Sequence, residues 1–338
     1  MKAIQIIELR KIIVTDNPKP VINSDEVLVK MLYVGFCGSD LNTWSGKNAL
    51  AKMPVIPGHE IGGVIEKTGE NVPNNLIPGM ACTVNPYTAC GNCSSCRNGR
   101  PNACRFNQTF GVQRDGAMCE YVVVPWKKII SDPEITPLEF SLVEPMSVGF
   151  HAVNRGNVSE SDTVMILGCG MIGIGAIVAS VSRNSQVIVV DVDDKKLALA
   201  KRLGAKFTIN SQTENLHECL HAITNEQGPD VVIEAVGTPV TYLQAIDEVA
   251  FTGRVVCIGY AKEKISFETK LFVQKELDIR GSRNAMPEDF YAVIDYLKKG
   301  NFPKEVIISG VYPPEKAQEA MEIWSNNPGK VFRILVEF

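Results

Sequence analysis

Val164-Met165-Ile166-Leu167-Gly168-Cys169-Gly170-Met171-Ile172-Gly173 is the stretch that decides the fold. Its four leading apolar residues predict a buried strand, and the small and apolar run from Ile174 to Ser182 predicts a helix. A Gly-x-Gly-x-x-Gly spacing between strand and helix is the context in which those glycines carry meaning. Gly168 permits the tight turn, Gly170 lets the backbone approach a pyrophosphate, and Gly173 lets helix and strand pack closely. The first N–H groups of the helix then point at phosphate. Gly168, Gly170, Ile172 and Gly173 are therefore expected at a dinucleotide. Asp191 ends the next apolar run, where a carboxylate accepts hydrogen bonds from a ribose 2′-OH and repels a 2′-phosphate. NAD is expected over NADP, although Lys195 and Lys196 nearby leave room for some NADP use.

The same rhythm extends outward. Thr163 to Leu167, Gln186 to Val190, Asp230 to Val236, Gly253 to Gly259 and Leu277 to Arg280 read as strands. Between them lie helical stretches such as Lys195 to Leu203, stopped by Gly204. Strands alternating with helices imply a parallel, doubly wound α/β sheet. Upstream of about residue 145 the pattern differs. Val27 to Val34, Ile61 to Glu66 and Cys119 to Val124 read as short strands between Gly, Pro and Asn turns. After the parallel region, Pro287-Glu288-Asp289 opens a helix through Leu297, and Lys330 to Glu337 reads as a last strand. A chain of 338 residues has room for two cores.

Four cysteines lie in one short loop: Cys90, Cys93, Cys96 and Cys104. Four thiolates at this spacing converge on one tetrahedral metal, most often Zn²⁺, and leave no position for substrate. That ion is expected to be structural. A second constellation mixes soft and hard donors: Cys37 in Gly-Phe-Cys-Gly-Ser-Asp, His59 and Glu60 in Gly-His-Glu, and Glu144. Such a site binds zinc while keeping a labile position. The other cysteines, Cys82, Cys119, Cys169, Cys219 and Cys257, read as small core residues, and His217 and His221 as surface residues of a solvated helix.

Charge and hydropathy exclude some classes. A net charge of −4 argues against nucleic acid as a partner. No run reaches the roughly 20 apolar residues of a membrane span, and Met1 to Ile7 lacks a signal-peptide core. Cysteines in metal spacings rather than disulfide spacings fit a reducing, cytoplasmic setting.

These motifs, with Glu144-Pro145-Met146-Ser147-Val148-Gly149 before the glycine loop, occur in an order that resembles the zinc-dependent medium-chain dehydrogenases over essentially the whole chain. Glu144-Pro145 and Cys37-Gly38-Ser39-Asp40 resemble the polyol (sorbitol) branch and bacterial sugar-acid dehydrogenases acting on L-galactonate and L-gulonate. The resemblance implies a GroES-like β-rich catalytic domain over residues 1–147, a Rossmann domain over 148–284 and a return to the catalytic domain over 285–338. It implies a small polyol or sugar-acid substrate and a homo-oligomer, dimer or tetramer. The implied chemistry is hydride transfer between a secondary alcohol and NAD, with zinc as Lewis acid.

Residue by residue, Cys37 and His59 match zinc ligands. Glu60 matches a ligand that binds directly or alternates with water, and Glu144 one that touches the metal directly or through its water. Asp40 matches a carboxylate that orients the ligand histidine, Ser39 a hydroxyl near the substrate oxygen, and Arg283 a residue beside nicotinamide and substrate. Two readings of Arg283 stand, a grip on a substrate carboxylate or a cofactor contact; Trp44 is either a pocket wall or core. One position departs from the pattern. Many relatives carry a proton-relay histidine where this chain has Asn42, and an amide cannot take up a proton near neutral pH. Other readings are a catalytically weakened NAD-binding sensor, a crystallin-like structural protein, and a dehydrogenase for another alcohol such as threonine.

Overall fold

The computed structural model describes residues 1–48, 52–327 and 329–338. The chain divides into two compact units, Met1–Glu144 with Met286–Phe338, and Pro145–Ala285. The first boundary falls three residues before the expected one, inside a helix.

The first unit opens with an antiparallel pair, β1 (Lys2–Glu8) and β2 (Lys11–Asp16). There follow β3 (Glu26–Gly35), α1 (Gly38–Trp44), β4 (Glu60–Thr68), β5 (Ala81–Val84), α2 (Ser94–Arg97), β6 (Tyr121–Pro125), β7 (Ile129–Ser131) and α3 (Pro137–Arg155). The second unit holds β8 (Thr163–Leu167), α4 (Met171–Val181), β9 (Gln186–Asp191), α5 (Asp194–Arg202), β10 (Phe207–Asn210) and α6 (Leu216–Thr224). It continues with β11 (Val231–Glu234), α7 (Pro239–Glu248), β12 (Arg254–Cys257), α8 (Lys270–Gln274) and β13 (Asp278–Gly281). The chain then returns to the first unit through α9 (Pro287–Leu297), α10 (Lys304–Ile307), β14 (Ile308–Tyr312), α11 (Ala317–Asn326) and β15 (Arg333–Glu337).

In the first unit a seven-stranded sheet runs β14-β15-β3-β4-β5-β7, with β6 also paired to β3. β3 is the organising strand. One edge pairs along its length with β4; the other takes β6 over its first half and β15 over its last three residues. A strand so enclosed must be apolar, and Val27, Leu28, Val29, Met31 and Val34 are all buried. The core around it draws on both segments: Ile61, Ile65 and Met118 pack with Met321, Ile334 and Val336. Trp44 lies in this core, which decides between its two readings.

The second unit carries a six-stranded parallel sheet, β10-β9-β8-β11-β12-β13. Chain order reverses between β8 and β11, the place where open α/β sheets bind ligands beyond their strand C-termini. β8 is buried from Val164 onward, as its uniform hydrophobicity requires.

Several expected strand limits shift for visible reasons. β11 stops at Glu234 because that carboxylate turns back and accepts the N–H groups of Val236 and Gly237, at 2.9 and 2.7 Å. β6 starts at Tyr121, and Cys119 instead bridges to Ala3. β15 starts at Arg333 because Lys330 is still in a turn, its N–H donated to Asn327. Among the described residues no helix is long and apolar enough to cross a membrane.

Candidate active site and nucleotide site

The register of the first sheet assembles the candidate metal centre. Gly35 at the end of β3 pairs with Glu60 on one side and Leu335 on the other. A Cβ on Gly35 would lie 2.2 Å from Glu60 Oε2, so only glycine leaves room for that carboxylate. Two residues on, Cys37 caps α1; His59 directly precedes β4. Asp40 ties the two segments together: Oδ2 accepts the Cys37 N–H at 2.8 Å and Oδ1 the Gly58 N–H at 3.3 Å. The sequence places Asp40 against the histidine ring, whereas these bonds show it holding the backbone on either side; His59 Nδ1 has no hydrogen-bond partner. Asp40 is fully buried, and that burial pushes its carboxyl up to about 6.

Cys37, His59 and Glu60 bring one donor atom each to within 4.8 Å of one another. The fit to a cation is visible in what lacks a partner: His59 Nδ1 and Glu60 Oε1 are buried and make no hydrogen bond. Such groups are costly unless something binds them. Burial pulls the His59 pKa down, yet Cys37, Glu144 and Asp40 more than offset this and hold it well above the usual histidine range. The negative field that retains a proton there is the field that draws a divalent cation. One thiolate, one imidazole and one carboxylate fit the open donor set that a catalytic zinc takes.

Glu144 is buried in α3 beside this group but outside the set of three. Its Oε1 accepts the hydroxyl of Tyr87, and burial raises its carboxyl. Ser39 Oγ, in the first turn of α1, is likewise buried without a partner. Two residues escaped the sequence reading. Arg333 pairs with Glu60 Oε2 and donates to the Phe36 carbonyl at 2.7 Å. Its signal was a lone charge inside an apolar strand. Tyr87 is held edge-on by Phe290, ring centroids 6.3 Å apart, and had no local signal.

The four-cysteine loop closes as its spacing predicts. Cys93 Sγ lies 3.5 Å from Cys96 Sγ and 3.8 Å from Cys104 Sγ, and all four sulfurs fall within 4.8 Å of one another. None of the four is in a disulfide. N–H groups of Cys90 and Phe106 point at Cys104 Sγ, and that of Cys93 at Cys90 Sγ, each at 3.3 Å. The Ser95 hydroxyl and nearby N–H groups pull the Cys93 thiol down to about 5. Burial and the neighbouring sulfurs push Cys96 up to about 11, so it is the convergence of the four sulfurs that fits a closed tetrahedral zinc.

In the second unit each glycine of the loop has its own geometry. Gly168 has φ +95°, Gly170 would direct a Cβ into open space, and a Cβ on Gly173 would strike the Gly168 carbonyl at 2.0 Å. The open side of Gly170, at the N-cap of α4, offers the room that a pyrophosphate at a helix N-terminus needs. Ile172 is half-buried in the first turn of α4. Asp191 ends β9 and accepts the Cys169 N–H at 2.7 Å, which ties the end of this strand to the glycine loop. Arg283 is half-buried, just beyond the C-terminal end of β13.

Comparison with known proteins agrees with this geometry. Residues 23–134 match the alcohol dehydrogenase GroES-like domain, and residues 172–299 match the zinc-binding dehydrogenase family. The L-galactonate-5-dehydrogenase of Escherichia coli K12 is 32% identical over 304 residues, 90% of this chain and 89% of that protein. The sorbitol dehydrogenase of Bacillus subtilis is 32% identical over 332 residues, 95% and 93% of the two chains. An NADH complex of the alcohol dehydrogenase RspB from E. coli CFT073 superposes with a TM-score of 0.91 at 30% identity, covering 100% of this chain and 99% of that one. With a GroES-like unit that gathers two metal-type donor sets and a doubly wound unit with a glycine-rich loop, the chain belongs to the zinc-binding medium-chain alcohol dehydrogenase family.

Proposed function

We propose that this protein oxidises a secondary alcohol of a polyol or sugar acid, reversibly, with NAD as hydride acceptor. The observation that carries this reading is the convergence of Cys37, His59 and Glu60 beside unsatisfied polar atoms of a buried wall. Those three side chains would hold the catalytic zinc, which when bound polarises the substrate oxygen and lowers the pKa of its hydroxyl. Ser39 Oγ is free to accept that hydroxyl's proton in a hydrogen bond and pass it outward, the part that Asn42 cannot play. Glu144 and Tyr87 present a carboxylate and a phenol to further substrate hydroxyls. A substrate without a hydroxyl at Ser39 would leave that buried Oγ unpaired, which discriminates against it. Retention of the donor set and of Ser39 favours turnover over a purely sensory role.

NAD follows from Asp191. Hydrogen bonds to charged groups contribute roughly 1.5–3 kcal/mol. Asp191→Ala should therefore raise KM for NAD on the order of tenfold while improving the relative use of NADP. Equal kcat/KM for NAD and NADP in the unaltered protein would contradict the assignment.

The substrate test is NADH formation across a panel of polyols, aldonates, L-threonine and ethanol, with and without chelator. Polyols or aldonates should be turned over and the chelator should abolish activity; efficient use of ethanol alone would overturn the proposal. Arg283 is the candidate partner of a substrate carboxylate. Arg283→Leu should then raise KM for an aldonate about tenfold more than for the matching neutral polyol. Equal losses on both would assign it to the cofactor.

A further inference from the structure

We propose that α6 and the end of α7 carry a third metal site, taking a divalent transition cation such as Zn²⁺ on His217 and His221, with Glu248 orienting the first of them. His217-Glu218-Cys219-Leu220-His221 sets two histidines four residues apart, and α6 makes that spacing one helical turn on one face. The two rings lie with centroids 4.0 Å apart and planes inclined by 46°. His217 Nδ1 meets both oxygens of Glu248, at 3.0 and 3.2 Å. A carboxylate there holds the proton on Nδ1 and leaves Nε2 as the donor for a metal, as in carboxylate–histidine–zinc arrangements. Glu248 is only 12% exposed and so held in place, whereas His217 is 61% exposed and open to an arriving ion.

The chain has four histidines. His59 belongs to the first unit's donor set and His151 is buried in α3, so the remaining pair is set together on one exposed face. Two imidazoles at this distance repel if both are protonated, whereas a single cation shared between them satisfies both. Imidazole donors suit zinc, copper and nickel rather than magnesium or calcium. Water would complete the coordination shell, since this face does not gather a third donor as closely as the two groups described above.

His-Glu-x-x-His on a helix is also the pattern of zinc hydrolases, in which the glutamate acts as base. Here Glu218 serves the helix terminus. Its N–H is donated to the Asn215 side chain at 3.3 Å, and its Oε1 accepts the Asn215 amide at 3.1 Å. The inference is therefore to metal binding, not to hydrolysis.

The test uses untagged holoenzyme already loaded with its own zinc, equilibrated against Zn²⁺ and analysed for metal. About one further equivalent should bind, and it should be lost in His217→Ala and in His221→Gln. Both variants should keep dehydrogenase activity and unfold at the unaltered temperature in metal-free buffer. Added Zn²⁺ should raise the midpoint only in the unaltered protein. Glu248→Gln should weaken binding about tenfold, the usual cost of losing such an outer partner. Equal metal uptake by the unaltered protein and the two histidine variants would overturn the site, and unchanged affinity in Glu248→Gln would overturn the role of that carboxylate.

Discussion

Cys37→Ser should lose the exchangeable metal and nearly all activity while remaining folded. Serine is among the best residues at a helix N-cap, so α1 and the Asp40 bonds that lock its start should survive. What disappears is the thiolate, the softest donor of the set Cys37, His59 and Glu60. A Lewis-acid metal contributes several kcal/mol to the transition state. At about 1.4 kcal/mol per decade, kcat/KM should fall on the order of 10³-fold or more. Elemental analysis should show about two zinc ions in the unaltered chain and about one in the variant. Cys96→Ser should behave in the opposite way. Its loop has little core of its own, and structural zinc supplies folding energy directly, so stability and soluble yield should suffer first. Near-normal turnover by Cys37→Ser, or unaltered protein purified gently with no metal, would remove the assignment.

What could be read from the sequence was whatever is decided locally. Gly168, Gly170 and Gly173 each answer a backbone demand a few residues away: a positive φ, an open cradle and a contact with a carbonyl. The four-cysteine loop closes within itself for the same reason. Cys37, His59 and Glu60 were legible only because the order of motifs resembles a known family, since no local spacing brings residue 37 to residue 59. The bonds of Asp40 to the Cys37 and Gly58 N–H groups were not legible, because which N–H groups lie within reach depends on how Gly58 turns, with φ +93°, before β4. Tyr87 was not legible at all, and Arg333 only as a lone charge inside an apolar strand. The reach of Arg333 to Glu60 depends on the row Leu335, Gly35 and Glu60 across three strands, one of them from the far end of the chain. The carboxylate partner of His217 lies on another helix, and pairings of that kind are set by tertiary packing rather than by pattern.

Arg333→Leu should strongly destabilise the first unit. Arg333 and Glu60 form an ion pair with side chains 5% and 0% exposed, reinforced by the Arg333 bond to the Phe36 carbonyl. Removing one member of a buried pair leaves the other charge uncompensated and typically costs about 3–5 kcal/mol. The site sharpens that cost. Glu60 Oε2 fills the room that Gly35 leaves by lacking a Cβ, and Glu60 Oε1 lacks a hydrogen-bond partner. Without Arg333 both oxygens would depend on the bound cation. The loss should therefore be largest in metal-free protein and smaller when zinc is present, because an ion that binds only the folded state adds its own stabilisation. Denaturant unfolding of the two forms measures this difference. The Glu60→Leu/Arg333→Leu double variant should cost clearly less than the sum of the single changes, since residues in direct contact couple by about 0.5–3 kcal/mol. A loss under about 1 kcal/mol for Arg333→Leu, or strict additivity in the double variant, would mean that Arg333 does not hold Glu60 and that the carboxylate is positioned by the metal alone.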